Sequence, residues 1–278
     1  ISSTPKFLAL YEALGIERPI LVTLPPILGP DGKKKLGKRD GAKDFLEYSK
    51  EGYLPDAMLN FLSFIGWNPG DDRDILSREE LIDSFDIKKI HISGGQFNED
   101  KLDWINHEHL KLLSKEKQTA YISEFIPESI KKLEGYREEI LVKLTDIIIE
   151  RVKNGKDIVE MANNGDLSYF FSKPSYDKDS LFFKSSKIEG DKYTILDSYI
   201  SKTIDLLSSI EDSDFNKDKV KEIIWPYAEE VGRGDILWPM RYALSGVDKS
   251  PDPFCLAEIL GKEETVSRLV EAAKKLKI

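Results

Sequence analysis

From Ser114 onward the chain is written almost entirely in helical period, which confines that part of it to packed helices. Apolar residues recur at three- and four-residue spacing over 115–125, 127–133, 137–152 and 156–163. They do so again over 193–210, 217–231, 236–245, 254–260 and 263–276. The breaks between these runs are short and hold Gly, Pro, Asn or Asp, as between the helices of a bundle. A polar stretch, 177–191, reads as a gap between two such groups. The expected class is therefore mainly α, with no internal repeat and no low-complexity tract.

The first part of the chain reads differently. Thr4 and Pro5 suit a helix start, the apolar residues Phe7, Leu8, Leu10, Tyr11 and Leu14 come next, and Gly15 ends the run. Residues 20–24 (ILVTL) form a strand candidate and give the N-terminus a short α/β character; 25–41 reads as loop, and a helix restarts over 42–48. Residues 55–67 form a helix that ends at Gly66. Ser77-Arg78-Glu79-Glu80 is a capping box ahead of Leu81, Ile82 and Phe85. Residues 91–95 are loop, and Asn98 caps a helix carrying Leu102, Trp104, Ile105 and Leu110.

A length of 278 residues allows two or three domains. Basic residues number 41 against 50 acidic ones, a formal net charge of -9. That balance argues against a non-specific nucleic-acid coat but leaves room for a reader of one structured RNA with local basic patches. No apolar stretch is long enough to span a bilayer, and the opening ISSTPKF lacks the pattern of a signal peptide, so the expected compartment is the cytoplasm. Cys255 is the single cysteine, which excludes an internal disulfide and a multi-cysteine zinc site; it is expected to be inert core. His107 and His109 flank Glu108 and point to opposite sides of a helix, so they are poor metal ligands and are expected at the surface. His91 reads as a loop hydrogen-bonder, Asp71-Asp72 as a solvated turn, and Trp67 and Trp104 as packing residues. No metal site is expected.

Against the acidic background, residues 33–39 read KKKLGKR, five basic residues in seven. They come after a Pro/Gly-rich run, LPPILGPDG, and precede Asp40-Gly41-Ala42. So much like charge on one loop repels itself unless an anion sits there, a triphosphate first and nucleic acid second. The alternative is a solvated charged turn. Lysine suits a phosphate clamp because it is a compact charge on a flexible stem, and Gly32 and Gly37 let such a loop close.

The stretch TPKFLALYEALG, then LPPILGPDGKKKLGKRDGA, resembles the segment of bacterial glutamyl-tRNA synthetases that ends in their KLSKR-type class I signature. The phrases Gly52-Tyr53-Leu54-Pro55-Asp56-Ala57, Asn60-Phe61-Leu62 and Gly66-Trp67 are similar to the family's sequence after that signature, as are Phe97-Asn98 and Lys101-Leu102-Asp103-Trp104-Ile105-Asn106. Met240-Arg241-Tyr242-Ala243-Leu244-Ser245-Gly246, Ser250-Pro251 and Ile259-Leu260-Gly261-Lys262-Glu263 resemble the family's anticodon-binding region. The match is weakest over 174–217.

The resemblance implies a parent enzyme, a glutamate–tRNA ligase, that activates glutamate with ATP and Mg2+ and charges tRNA-Glu as a cytoplasmic monomer with no membrane contact. It places the signature, and with it the ATP contacts, on Lys35, Leu36, Gly37, Lys38 and Arg39. Lys38 would hold the leaving pyrophosphate in catalysis, Lys35 and Arg39 would supply supporting charge, and Gly37 stands where the family usually has serine. It assigns tRNA contacts to Arg151, Arg241, Ser250 and Pro251, with Arg151 reading the last anticodon base. Trp238 departs from the family's usual polar residue and would stack on a base or, more simply, fill the core. No His-x-Gly-His occurs, so the chain is expected to be the C-terminal portion, inactive alone in adenylation.

The implied parts are a catalytic-domain tail (1–45), a stem-contact region (46–114) and two anticodon-binding helical bundles (115–205 and 206–278). Two rivals stand beside this reading. One is a glutaminyl-type synthetase, whose anticodon region is β-barrel. The other is a non-catalytic helical scaffold or interaction module derived from a synthetase tail.

Overall fold

Helix starts obey the chemistry of their caps. In the structure, a computed structural model that describes residues 2–37, 42–186 and 188–277, Asp44 accepts the Leu46 amide at the head of α2 (Phe45–Lys50). α1 (Thr4–Ala13) lies before it in the chain and α3 (Pro55–Gly66) after it. Ser77 and Glu80 form the expected reciprocal capping box on α4 (Arg78–Ser84). Asn98 caps α5 (Glu99–Leu112) through the Lys101 amide.

The chain divides into two units, Ile1–Leu113 and Ser114–Ile278. The core of the first gathers Tyr48, Tyr53, Ala57, Met58, Phe61, Ile65, Leu102 and Ile105, where α3 packs on α5, with Phe97 wedged against it. Two buried amides stitch this core to its loops. Asn60 Oδ1 accepts the Leu76 amide at 3.0 Å, and Asn106 Oδ1 accepts the Leu54 amide at 2.8 Å. Each accepted amide offsets the cost of burying the side-chain oxygen, whereas Asn60 Nδ2 is buried without a hydrogen-bond partner among the described residues.

The strand expected over 20–24 does not form. Among the described residues there is no sheet, only three isolated bridges, and Ile20 stands 94% exposed. The sequence is β-prone, but a strand exists only through a partner, and no described residue pairs with this stretch. Two further expectations fail in the same unit. Trp104 is 43% exposed, while Trp67 is buried against Phe64 and Phe85. His109 is buried, and its Nε2 lies 3.0 Å from Asn60 Oδ1.

In the second unit α6 (Lys115–Phe125) packs against α8 (Glu138–Ile149) and α9 (Gly155–Asn163), with the short α7 (Glu128–Lys131) between them in sequence. α8 turns Leu141, Leu144, Ile148 and Ile149 inward. The remaining helices are α10 (Lys192–Ser208), α11 (Lys217–Val231), α12 (Arg233–Ser245), α13 (Pro253–Leu260) and α14 (Lys262–Leu276). α10 lies along α14 and touches α11 and α12, so it belongs with the C-terminal group. It also runs unbroken through residue 205, so a bundle boundary at 205/206 would cut a helix.

The polar gap at 177–191 is structured at its start. Residues Lys178–Leu181 form a 3-10 turn, Leu181 is buried, and Phe182 and Phe183 are half-buried. No helix among the described residues is long and apolar enough to cross a membrane.

Candidate nucleic-acid interface

Over residues 27–36 the basic loop of the first unit is a tight hairpin. The Gly29 amide donates to Lys34 O at 2.8 Å and the Leu36 amide to Ile27 O at 2.8 Å, pairing Leu28 opposite Lys35. Gly32 makes the turn with φ 65, a conformation that a side chain would strain. Asp31 Oδ1 accepts the amides of Lys33 and Lys34, at 3.0 and 3.1 Å. Those two amides, with the nearby Lys34 charge, hold the Asp31 carboxyl below the usual carboxylate range.

The hairpin is sewn to residues 95–97. The Leu28 amide donates to Gly95 O, the Phe97 amide donates to Leu28 O, each at 2.9 Å, and the Gln96 side-chain amide donates to Pro30 O. Phe97 then meets Phe61 edge-on, 5.0 Å between ring centroids, inside the core. Lys33, Lys34 and Lys35 are thereby exposed on a short, anchored projection, with Leu36 and Gly37 half-buried at its base. Lys38 and Arg39 lie outside the described residues.

Beside the hairpin, Lys43 bridges Glu51 at 3.1 Å and Glu99 at 2.8 Å. Burial pulls its ammonium down, and the two hydrogen-bonded carboxylates more than offset this, leaving it above its ordinary value. Among the described residues no group of three or more His, Cys, Asp or Glu side chains could hold a metal ion.

The second unit collects the other candidates around the junction between α12 and α13. Arg241, in the last turns of α12, places its guanidinium 4.7 Å over the Trp238 ring and donates from Nη2 to Asp248 O at 2.9 Å. Gly246 ends the helix in the left-handed region, and Ser245 Oγ donates back to Arg241 O at 2.9 Å. The chain passes through Ser250 and Pro251, both half-buried, with Ser250 Oγ 3.3 Å from Pro251 O. Asp252 then caps α13 by accepting the Phe254 and Cys255 amides at 3.1 and 3.0 Å, and takes an ion pair from Lys217 at 3.3 Å.

Arg151 lies just past the end of α8 and is exposed; its amide donates to Ile148 O at 2.9 Å. Its charge is felt by two groups, the Tyr169 phenol and the Cys255 thiol. Burial pushes both above their ordinary values, and Arg151 draws both back. Cys255 lies in the first turn of α13, a helix that packs against α8. Cys255 itself is partly exposed rather than core.

Residues 107–273 match the family model described as an anticodon binding domain. The chain belongs to that family. In this anticodon-binding-domain protein, residues 1–104 also match the model described as tRNA synthetases class I (E and Q), catalytic domain. The glutamate–tRNA ligase of Clostridium novyi (strain NT) is 35% identical over 282 residues, covering 100% of this chain and 55% of that protein. That of Flavobacterium johnsoniae is 33% identical over 296 residues, covering 99% and 55%.

A crystal structure of a glutamate tRNA ligase from Elizabethkingia meningosepticum, in complex with its amino acid, superposes with a TM-score of 0.76 at 31% identity, covering 99% of this chain and 56% of that one. A glutamate-tRNA synthetase from Elizabethkingia anophelis gives a TM-score of 0.74 at 31% identity, covering 98% and 55%. The chain spans about half the length of the curated relatives it matches. The family resemblance carried by the phrases from residue 4 to residue 263 therefore holds along the whole sequence.

Two structural features around Arg241 in this anticodon-binding-domain protein are not legible in its sequence. Trp238 is half-buried and packs against Phe183 and Tyr242, as core filling requires, and it also carries Arg241. Asp248 supplies the carbonyl that fixes the guanidinium edge. The Trp-x-x-Arg spacing on one helical face is the only local signal.

Proposed function

We propose that these residues form the tRNA-recognition portion of a glutamate–tRNA ligase. The parent enzyme joins glutamate to tRNA-Glu with magnesium-ATP as co-substrate, working as a monomer in the cytoplasm. Residues 1–45 are the tail of its catalytic domain, 46–114 touch the tRNA stem, and the helices from residue 115 onward read the anticodon. The break between the two helical bundles falls ahead of α10 rather than at 205/206, because α10 packs with the C-terminal group.

The observation that carries this reading is Arg241. Its guanidinium is held on a ring and by one carbonyl in a segment that matches an anticodon binding domain, and among the described residues no carboxylate neutralises it. A planar fork of donors suits the edge of an unstacked base, which is what proteins read in single-stranded RNA. Ser250 and Pro251 lead into α13, Arg151 follows α8, which packs on α13, and all three serve the same loop of RNA. Phosphate contacts from exposed lysines set register, and base contacts set choice.

In the first unit, Lys35, Leu36, Gly37, Lys38 and Arg39 belong to the ATP site. Lys38 stabilises the pyrophosphate that leaves when glutamate is activated, and Lys35 and Arg39 add background charge. The anchored hairpin at 27–36 supports this by projecting cations on a rigid stem.

The test is filter binding of the 278-residue chain to tRNA-Glu and to an unrelated tRNA. Preference for tRNA-Glu, weakened by Arg241→Ala, is expected. Equal binding of both RNAs overturns the reading and favours the helical scaffold. The helices that fill the second unit already stand against a glutaminyl-type β-barrel.

A further inference from the structure

We propose that Trp238 is a positioning residue for Arg241, a rigid seat that orders its guanidinium before RNA arrives. The inference rests on the anticodon reading of Arg241 given above. Trp238 and Arg241 are three residues apart on α12 and so share a face. The guanidinium carbon is 4.7 Å from the indole centroid, and Nη2 is tied to Asp248 O at 2.9 Å. The ring contact holds the guanidinium against the indole, and the hydrogen bond restricts its rotation there. The remaining N–H donors of the fork keep one orientation. Tryptophan is the best of the aromatic side chains for this contact.

A seat works only if it is itself immobile, and residues 174–186 provide that. Trp238 Nε1 donates to Ser180 O at 3.0 Å. Phe183 lies 6.0 Å away at 52° and Tyr242 lies 5.8 Å away, nearly parallel at 28°. Phe183 reaches this position because residue 234, one helical turn before Trp238, is glycine. A Cβ there would lie 2.3 Å from Phe183 Cδ1. Tyr176 meets Tyr242 edge-on at 5.6 Å and carries the Lys275 ammonium 4.0 Å over its own ring. Lys184 pairs with the Asp248 carboxylate at 3.5 Å, so the loop that supplies the carbonyl to Arg241 is tied to the same segment.

The consequence is preorganisation. A free arginine side chain loses much rotamer freedom when it is captured by a base, and an arginine already ordered in the free protein loses little. The residues between the two helical groups thereby take part in recognition through Trp238, although none of them need touch RNA.

The experiment is a double-mutant cycle on tRNA-Glu binding, using the full 278-residue chain with Trp238→Leu, Arg241→Ala and the pair, each checked for its fold by circular dichroism. Trp238→Leu is expected to weaken binding about threefold to tenfold when Arg241 is present. In the Arg241→Ala background it is expected to add less than about twofold. Equal loss in both backgrounds, or no loss in the first, overturns the inference while leaving the anticodon reading intact. Should Arg241→Ala itself leave binding unchanged, both fall together. If Trp238→Leu does not fold, Trp238→Phe carries the test. It keeps an aromatic face but loses the Nε1 donor, and its smaller loss must also vanish when Arg241 is absent.

Discussion

Arg268 Nη1 lies 2.6 Å from the backbone oxygen of Tyr169, across 99 residues of sequence. The same nitrogen donates to Leu244 O at 2.6 Å, Nη2 donates to Ser172 O at 3.2 Å, and Nε pairs with Glu264 at 2.7 Å. One guanidinium, 3% exposed, thus closes the end of α12, the turn after α9 and the start of α14 into one piece. It is the brace behind the end of α12, the helix that carries Arg241.

Arg268→Ala is expected to cost about 3–5 kcal/mol in urea unfolding, because it leaves three carbonyls and a carboxylate without their donor. Arg268→Lys should recover only part of the loss, since one ammonium cannot serve the planar fork's spread of acceptors. A midpoint for Arg268→Ala within the error of the wild type would show that water replaces the guanidinium at no cost.

His109 gives the first unit a pH dependence with a defined sign. Asn60 Oδ1 already accepts the Leu76 amide, which fixes the amide's orientation and makes His109 Nε2 the donor to that oxygen. Burial holds the imidazole below its ordinary value, and the Asp56 carboxylate opposes this only in part. The unfolded chain therefore binds the proton more readily than the folded one. Stability is full above about pH 6.5, falls as the pH drops through that value, and levels off once the folded histidine is itself charged. Between about pH 7 and about pH 5.5, His109→Gln should flatten the shift in urea midpoint seen in the wild type. An unchanged slope would assign the effect to other groups.

How far the sequence carried depends on whether the cause was local. The capping box at Ser77 and Glu80, the Asn98 cap and the Gly66 stop are written within four residues of where they act, and the helices appear there. His109 reads as a surface residue because its partner, Asn60, is 49 positions away on another helix. Residues 20–24 read as a strand because β-branched composition is visible and a missing partner is not. Arg268 passes as an ordinary helix arginine, since the carbonyls it serves lie outside its own helix. In the candidate site, the residue types at Arg241 and Arg151 are legible, whereas the Trp238 seat depends on Ser180, 58 positions earlier, and on Phe183.

Gly95 tests whether the basic hairpin is rigidly mounted. A Cβ at this position would lie 1.8 Å from Ile65 O, so alanine must push the 95–97 strip off the end of α3. Leu28 is bonded to that strip on both sides, and the displacement passes directly to the stem of the loop bearing Lys33, Lys34 and Lys35. Gly95→Ala should lower stability by about 1–3 kcal/mol. It should also speed hydrogen exchange at the Leu28 and Leu36 amides, with the helix amides of the second unit unaffected. Unchanged exchange at Leu28 would mean that the hairpin stands without its mount.

Arg241→Lys separates a base contact from a phosphate contact. The substitution keeps the charge and removes the planar fork, along with much of its stacking on Trp238. A phosphate contact tolerates that exchange, because a point charge still releases a counterion, and the slope of log K against log salt is unchanged while binding to all RNAs stays similar. A base contact does not tolerate it. Discrimination between tRNA-Glu and the same RNA with one altered anticodon base should then fall by about 1–3 kcal/mol, with the salt slope again unchanged. Arg241→Ala adds the complement, since loss of a phosphate contact lowers the slope by about 0.7–0.9, whereas loss of a base contact leaves it nearly alone. The expected pattern is lost discrimination in both variants with a constant slope. Intact discrimination in Arg241→Lys, together with a lower slope in Arg241→Ala, would move Arg241 from reading the anticodon to holding the backbone beside it.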